Sequence, residues 1–158
     1  MIETALGTSI AFTAPHRLAS KAGYDILEAG GTAVEAMVAA AAQIAVVYPH
    51  MNSIGGDGFW LIKKKGQTPV AISACGPAAE QATPDWYEKK GYKRFLPTRG
   101  PLAALTVPGT IAGWKLALEL DNPKRAIPLN ELLSAAVERA KNGVAVTKNQ
   151  HDTLVAKK

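Results

Sequence analysis

One cysteine and three histidines are the obvious candidates for chemistry in this 158-residue chain. Cys75 could attack a substrate only as a thiolate, which needs a neighbouring base and a lowered pKa. Nothing in the spacing of His16, His50 and His151 sets an imidazole beside it, so a small residue in a core or pocket wall is the better reading. The histidines have no metal-ligand spacing with one another or with carboxylates, and no metal site is expected. Gly55-Gly56-Asp57-Gly58 suggests a phosphate loop, but it leads into a strand pattern and lacks the Lys-Ser/Thr pair of a P-loop. Close approach of backbone to backbone is its expected use. His50-Met51-Asn52-Ser53, just ahead of that turn, either lines a cleft or satisfies the last carbonyls of the helix before it. Trp60, Trp86 and Trp114 read as core or interface anchors.

These residues need elements to hold them. Thr8–Ala14 reads as a strand ended by Pro15. The periodicity then predicts a helix over Arg17–Glu28 with Leu18, Ala22 and Ile26 on one face, stopped by Gly30-Gly31. Thr32 followed three residues later by Glu35 is a capping-box pattern, worth about 1 kcal/mol, opening a helix over Ala33–Val47. Only Glu35 and Gln43 are polar in that helix. A helix apolar on every side belongs between other layers, not on a surface.

After Pro49, Phe59–Ile62 and Pro69–Ser73 read as a hairpin turning around Lys65-Gly66. Residues 74–99 are the least regular stretch, with a short helix expected from Pro84-Asp85. Ala103–Val107 reads as a buried strand, Thr110–Leu120 as a helix and Leu129–Lys141 as another, closed by Asn142-Gly143. Thr147-Lys148-Asn149-Gln150 opens a last helix, which runs to Lys158 without a cap and suggests a truncated chain.

Bulk properties exclude several function classes. The apolar fraction of 47% and charged fraction of 20% are ordinary for a globular protein, and a chain this long forms one domain burying roughly 70% of its unfolded surface. The net charge of +5 is dispersed over Lys63-Lys64-Lys65, Lys89-Lys90-Lys93-Arg94 and Lys157-Lys158, with no basic recognition helix, so no nucleic-acid partner is expected. Ala36–Val47 is too short to span a bilayer, which takes about 20 residues. A single cysteine forms no internal disulfide. The opening MIETALGTSIAF has no basic and apolar leader pattern, which favours a cytoplasmic location.

The order of short motifs carries more. Leu18-Ala19-Ser20, Ala22-Gly23, Ile26-Leu27, Gly30-Gly31-Thr32-Ala33-Val34-Glu35-Ala36, Val46-Val47-Tyr48-Pro49 and Ile54-Gly55-Gly56-Asp57-Gly58-Phe59 follow one another in fixed sequence. Together they resemble the opening of the large subunit of the gamma-glutamyltranspeptidase family. The resemblance continues through Gly100-Pro101-Leu102-Ala103, Val107-Pro108-Gly109-Thr110, Gly113 and the helical stretch Leu129–Val146. It implies an α/β fold, the amino-terminal portion of a four-layer αββα N-terminal-nucleophile hydrolase, with residues 1–158 as an incomplete single domain.

In such hydrolases a precursor cuts itself ahead of a threonine, whose new amine then serves as its base. No segment here resembles that cut site, so no catalytic residue is assigned and the chain alone is expected to be inert. The resemblance implies no metal or organic cofactor. It implies as partners the remainder of the large subunit and the Thr-led small subunit, with a small-molecule amide as substrate. The family usually holds the substrate's α-carboxylate with an arginine, whose place falls here on Cys75, in Ser73-Ala74-Cys75-Gly76-Pro77. A thiol cannot replace a bidentate guanidinium. The resemblance therefore points to the oxamate amidohydrolase and cephalosporin acylase branch, with a small anionic acyl donor. Arg99 is the candidate to supply the cation from another place, or else it is a surface arginine on a loop carbonyl. The competing reading is a catalytically inactive paralogue acting as a binding or structural module.

Overall fold

The computed structural model describes residues 6–123 and 125–157. The opening residues 1–5 and Lys158, on which the leader and chain-end readings lean, lie outside them. Two compact units are present, one made of Met1–Ser53 and Leu116–Lys158 and the other of Ile54–Lys115.

The first unit is helical. Helix α1, Arg17–Glu28, buries Ala19, Ala22, Gly23 and Ile26. It ends as its glycines predict. Gly30 takes φ 86° and donates to the Leu27 carbonyl, and Gly31 donates to the Ile26 carbonyl, the paired bonds of a Schellman motif. Helix α2, Ala33–Val47, opens with the full capping box: Glu35 N–H donates to Thr32 Oγ1 at 3.1 Å, and Thr32 N–H donates to Glu35 Oε2 at 2.8 Å. Its innermost stripe, Ala36, Ala40, Gln43 and Val47, is almost wholly buried, and α2 packs on α1 and on the short helices α5, Leu129–Leu132, and α6, Ser134–Asn142. The expectation that every side of α2 is covered holds only in part, because Ala33 and Met37 stay exposed among the described residues. Gln43 Oε1 is buried there without a partner.

Two sequence expectations change in this unit. Thr8–Ala14 forms no strand. A strand needs a neighbour for its ladder, and this segment is held by side chains instead. Ala14 N–H donates to Ser20 Oγ at 2.9 Å, and the Phe12 ring lies so close to Gly23 that a Cβ there would sit 2.3 Å from Phe12 Cζ. The helix expected over Leu129–Lys141 is two, separated by Leu133, whose ψ of −7° opens the helical path for one residue. Gly143, at φ 81°, closes α6, and α7, Lys148–Val155, follows with the Thr147 hydroxyl accepting from Gln150 N–H.

The second unit is built on the predicted hairpin. Strands β1, Gly58–Ile62, and β2, Val70–Ala74, pair antiparallel with Trp60 opposite Ile72. Alternation puts Trp60 and Ile72 inward and leaves Phe59 and Leu61 exposed. Helix α3, Pro84–Lys89, is capped by Thr83 and buries Tyr87, whose hydroxyl donates to the Leu102 carbonyl at 2.9 Å. The buried strand expected over Ala103–Val107 is absent. A 3₁₀ turn occupies Pro101–Ala103, and one bridge, Ala78 to Thr106, is all the ladder that forms. Pro101 and Pro108 bracket the segment and deny it two ladder donors. Helix α4, Thr110–Asp121, begins in this unit and ends in the other.

Candidate functional site

The glycine turn and the start of α4 meet at one carbonyl. Gly56 C=O accepts from Gly109 N–H and Thr110 N–H, each at 3.0 Å, and from the Thr110 hydroxyl at 2.7 Å. It thereby satisfies donors that open a helix and would otherwise be orphaned. Thr110, 8% exposed, also reaches the Asp57 carbonyl at 3.2 Å. Its hydroxyl, donating to both carbonyls, pins the start of α4 to the turn.

Asp57, the next residue of the turn, crosses to the end of β2. Its Oδ1 accepts from Gly76 N–H at 3.2 Å, fixing the backbone that carries Cys75. Three glycines make this approach possible. A Cβ on Gly76 would stand 1.5 Å from the Val107 carbonyl oxygen, one on Gly109 would stand 2.1 Å from the Ala74 oxygen, and one on Gly113 would meet the Ala74 Cβ at 2.7 Å. At Gly76 and Gly109 backbone therefore packs on backbone, and at Gly113 on the Ala74 side chain. Close packing is the use expected of the Gly55–Gly58 turn, but a Cβ on Gly56 would meet nothing within 4 Å and one on Gly58 nothing nearer than 3.6 Å, so the tight positions lie on the facing segments instead.

Cys75 sits exposed on that corner, with its sulfur 3.5 Å from the Ser73 hydroxyl. No histidine accompanies it in this unit, since His16, His50 and His151 all belong to the helical one. Arg99 is exposed in the loop before Gly100, itself at φ 84°, and makes no ion pair or hydrogen bond among the described residues. No bond joins it to Cys75. The hollow of 460 Å3 in the same unit is lined by residues that include Tyr87, Glu88, Tyr92, Lys93, Arg94 and Phe95, and neither Cys75 nor Arg99 borders it. Sequence reasoning passed over Gly56, Asp57, Gly76 and Thr110 as a group. The motif run Ile54–Phe59 and the run Val107–Thr110 were both visible, but nothing in the linear order showed that they face each other.

In the helical unit, His50 Nε2 lies 2.6 Å from Asn149 Oδ1, and Tyr48 donates its hydroxyl to the same oxygen at 3.2 Å. His50 therefore ties the end of α2 to the start of α7. His16 caps α1 by accepting from Leu18 N–H through Nδ1, and its pKa is lowered by burial and by the charge of Arg17. No cluster of three metal-ligating side chains and no helix long and apolar enough to cross a membrane occurs among the described residues.

The chain belongs to the gamma-glutamyltranspeptidase family, whose model matches residues 19–158. It is 51% identical over 146 residues to the oxamate amidohydrolase proenzyme of Klebsiella pneumoniae, covering 91% of this chain and 27% of that relative. The gamma-glutamyltranspeptidase of Helicobacter pylori superposes with TM-score 0.78 and 32% identity over 99% of this chain and 43% of that one. The cephalosporin acylase of Bacillus halodurans superposes with TM-score 0.76 and 32% identity over 89% of this chain and 27% of that one. The chain thus spans about a quarter of the length of the curated relative, and its fold is that of the amino-terminal portion of these hydrolases.

Proposed function

We propose that residues 1–158 serve, within a longer precursor, an autoprocessed amidohydrolase or acyltransferase that cleaves the amide of a small anionic acyl donor. Oxamate-like donors come first, then glutaryl-like and γ-glutamyl ones. The nucleophile is a terminal threonine on a small subunit that this chain lacks. The remaining large-subunit segment and that small subunit are its partners. The observation that carries the reading is the identity of 51% with an oxamate amidohydrolase proenzyme, against 32% with a gamma-glutamyltranspeptidase. It is supported by an exposed Cys75 where the family resemblance expects a carboxylate-binding arginine. Arg99, a cation without an internal partner on the same unit, supplies the replacement charge for the substrate carboxylate.

The test is the complete gene product assayed on oxamate, a glutaryl amide and a γ-glutamyl anilide. Faster turnover of the γ-glutamyl compound overturns the substrate order. Arg99→Ala should raise KM for oxamate about tenfold more than for a neutral amide, with kcat little changed. Equal effects on both substrates remove Arg99 from recognition. The isolated chain should hydrolyse neither.

A further inference from the structure

A second feature, in the helical unit, concerns charge. A hollow of 390 Å3 opens between the start of α1 and the turn that leads into α7. His16 and Arg17 border it from α1, Arg139 from α6 and Thr147 from the turn, and no carboxylate lines it. Neither arginine has an ion-pair partner among the described residues. Two arginines lining one concavity with no carboxylate in its wall give it an excess of positive charge, which a bound anion would offset.

Other features point the same way. The hollow adjoins the amino-terminal ends of α1 and α7, whose dipoles favour negative charge. Arg17 also acts on the His16 ring, whose pKa is lowered first by burial and then by that charge. Tyr48, whose ring centre is 6.0 Å from that of His16, brings no charge to offset it. The volume falls in the range of about 300–1,000 Å3 typical of small-molecule sites and is far larger than a bare tetrahedral anion needs. Part of its wall is aliphatic, from Leu18, Val144 and Val146.

We propose that this hollow binds a small organic carboxylate, with its head between Arg17 and Arg139 and its short aliphatic body against Leu18, Val144 and Val146. The residues of this site belong to the helical unit and Cys75 and Arg99 to the other, and the proposal does not depend on the reaction proposed above.

The experiment is an NMR titration of the chain with sodium butyrate, with sodium chloride at matched ionic strength as reference. The imidazole signals of His16 and His151 are followed across pH. Butyrate should shift the His16 signals saturably and raise the His16 titration midpoint, because a carboxylate beside the ring favours the imidazolium. His151, which does not border the hollow, should follow chloride. Arg139→Gln and Arg17→Gln should each weaken butyrate binding about tenfold. Arg17 is exposed, so its variant keeps the test open if Arg139→Gln fails to fold. Identical responses to butyrate and chloride, or unchanged affinity in a folded arginine variant, overturn the site. Saturation by inorganic phosphate without any response to butyrate overturns the organic ligand.

Discussion

The helical unit and the hairpin unit are stabilised by different means. In the helical unit, side chains are buried: Ala36, Val38, Ala40 and Val47 of α2 are at most 3% exposed, and caps satisfy the helix ends. In the hairpin unit, backbone meets backbone. Gly56 C=O takes three donors, Gly76 and Gly109 lie against carbonyl oxygens, and Phe59 and Leu61 stay 74% and 78% exposed. A two-stranded sheet is marginal without further strands or a covering layer, so the glycine corner carries much of the order there. In the helical unit the tight glycine Gly23 meets a side chain, Phe12, whereas in the hairpin unit Gly76 and Gly109 meet main-chain oxygens that cannot rotate away.

The harshest way to break that contrast is Gly76→Ala. The new Cβ would be placed 1.5 Å from a main-chain oxygen, which cannot rotate away as a side chain would. The cost should be about 3 kcal/mol or more, at the upper end of overpacking effects. Amide exchange in Gly58–Ile62 should accelerate sharply. If the variant melts like the parent, the corner is not what orders the hairpin.

Glu35→Ala asks the opposite question of the helical unit. Glu35 is 1% exposed, and besides its part in the capping box its Oε1 accepts from Ile127 N–H at 2.7 Å, tying α2 to the loop before α5. Alanine would leave the Thr32 and Ile127 donors unpaired and cost about 2–3 kcal/mol. Glu35→Gln should cost less, since the amide keeps one acceptor and its shape. Equal losses for the two would mean that the negative charge, not the acceptor geometry, matters.

These two residues also mark where sequence reading succeeds and fails. The capping box at Thr32 and Glu35 was legible because it lies within four residues, and α1, α2 and the hairpin were legible because their periods and stops are local. The bond from Glu35 to Ile127 spans 92 positions, and the approach of Gly76 to Val107 joins two loops. Neither leaves a local trace. Thr8–Ala14 and Ala103–Val107 had the composition of strands, but composition cannot show whether a neighbouring strand exists to pair with them. For the candidate site, residue types at Cys75 and Arg99 could be named, whereas the Asp57 bond that fixes the Cys75 backbone needed coordinates.

The smallest effect concerns a cap that depends on pH. His16 closes α1 by accepting from Leu18 N–H through Nδ1, which only a neutral imidazole can do. Its pKa in the folded chain is lowered, first by burial and then by Arg17. The unfolded chain therefore binds the proton more readily, and stability rises with pH across the interval between the folded value and the ordinary value of about 6.5. As pH falls through the unfolded value and on towards the folded one, that contribution is lost. Protonation also puts a positive charge at a helix amino terminus, where the dipole opposes it. In chloride buffer, thermal melts of the parent should therefore drop between pH 7 and pH 5 by more than those of His16→Asn, whose side chain caps in every protonation state. The difference should stay below the roughly 1 kcal/mol of a whole cap. Parallel curves for the two proteins would mean that the imidazole contributes nothing through this bond.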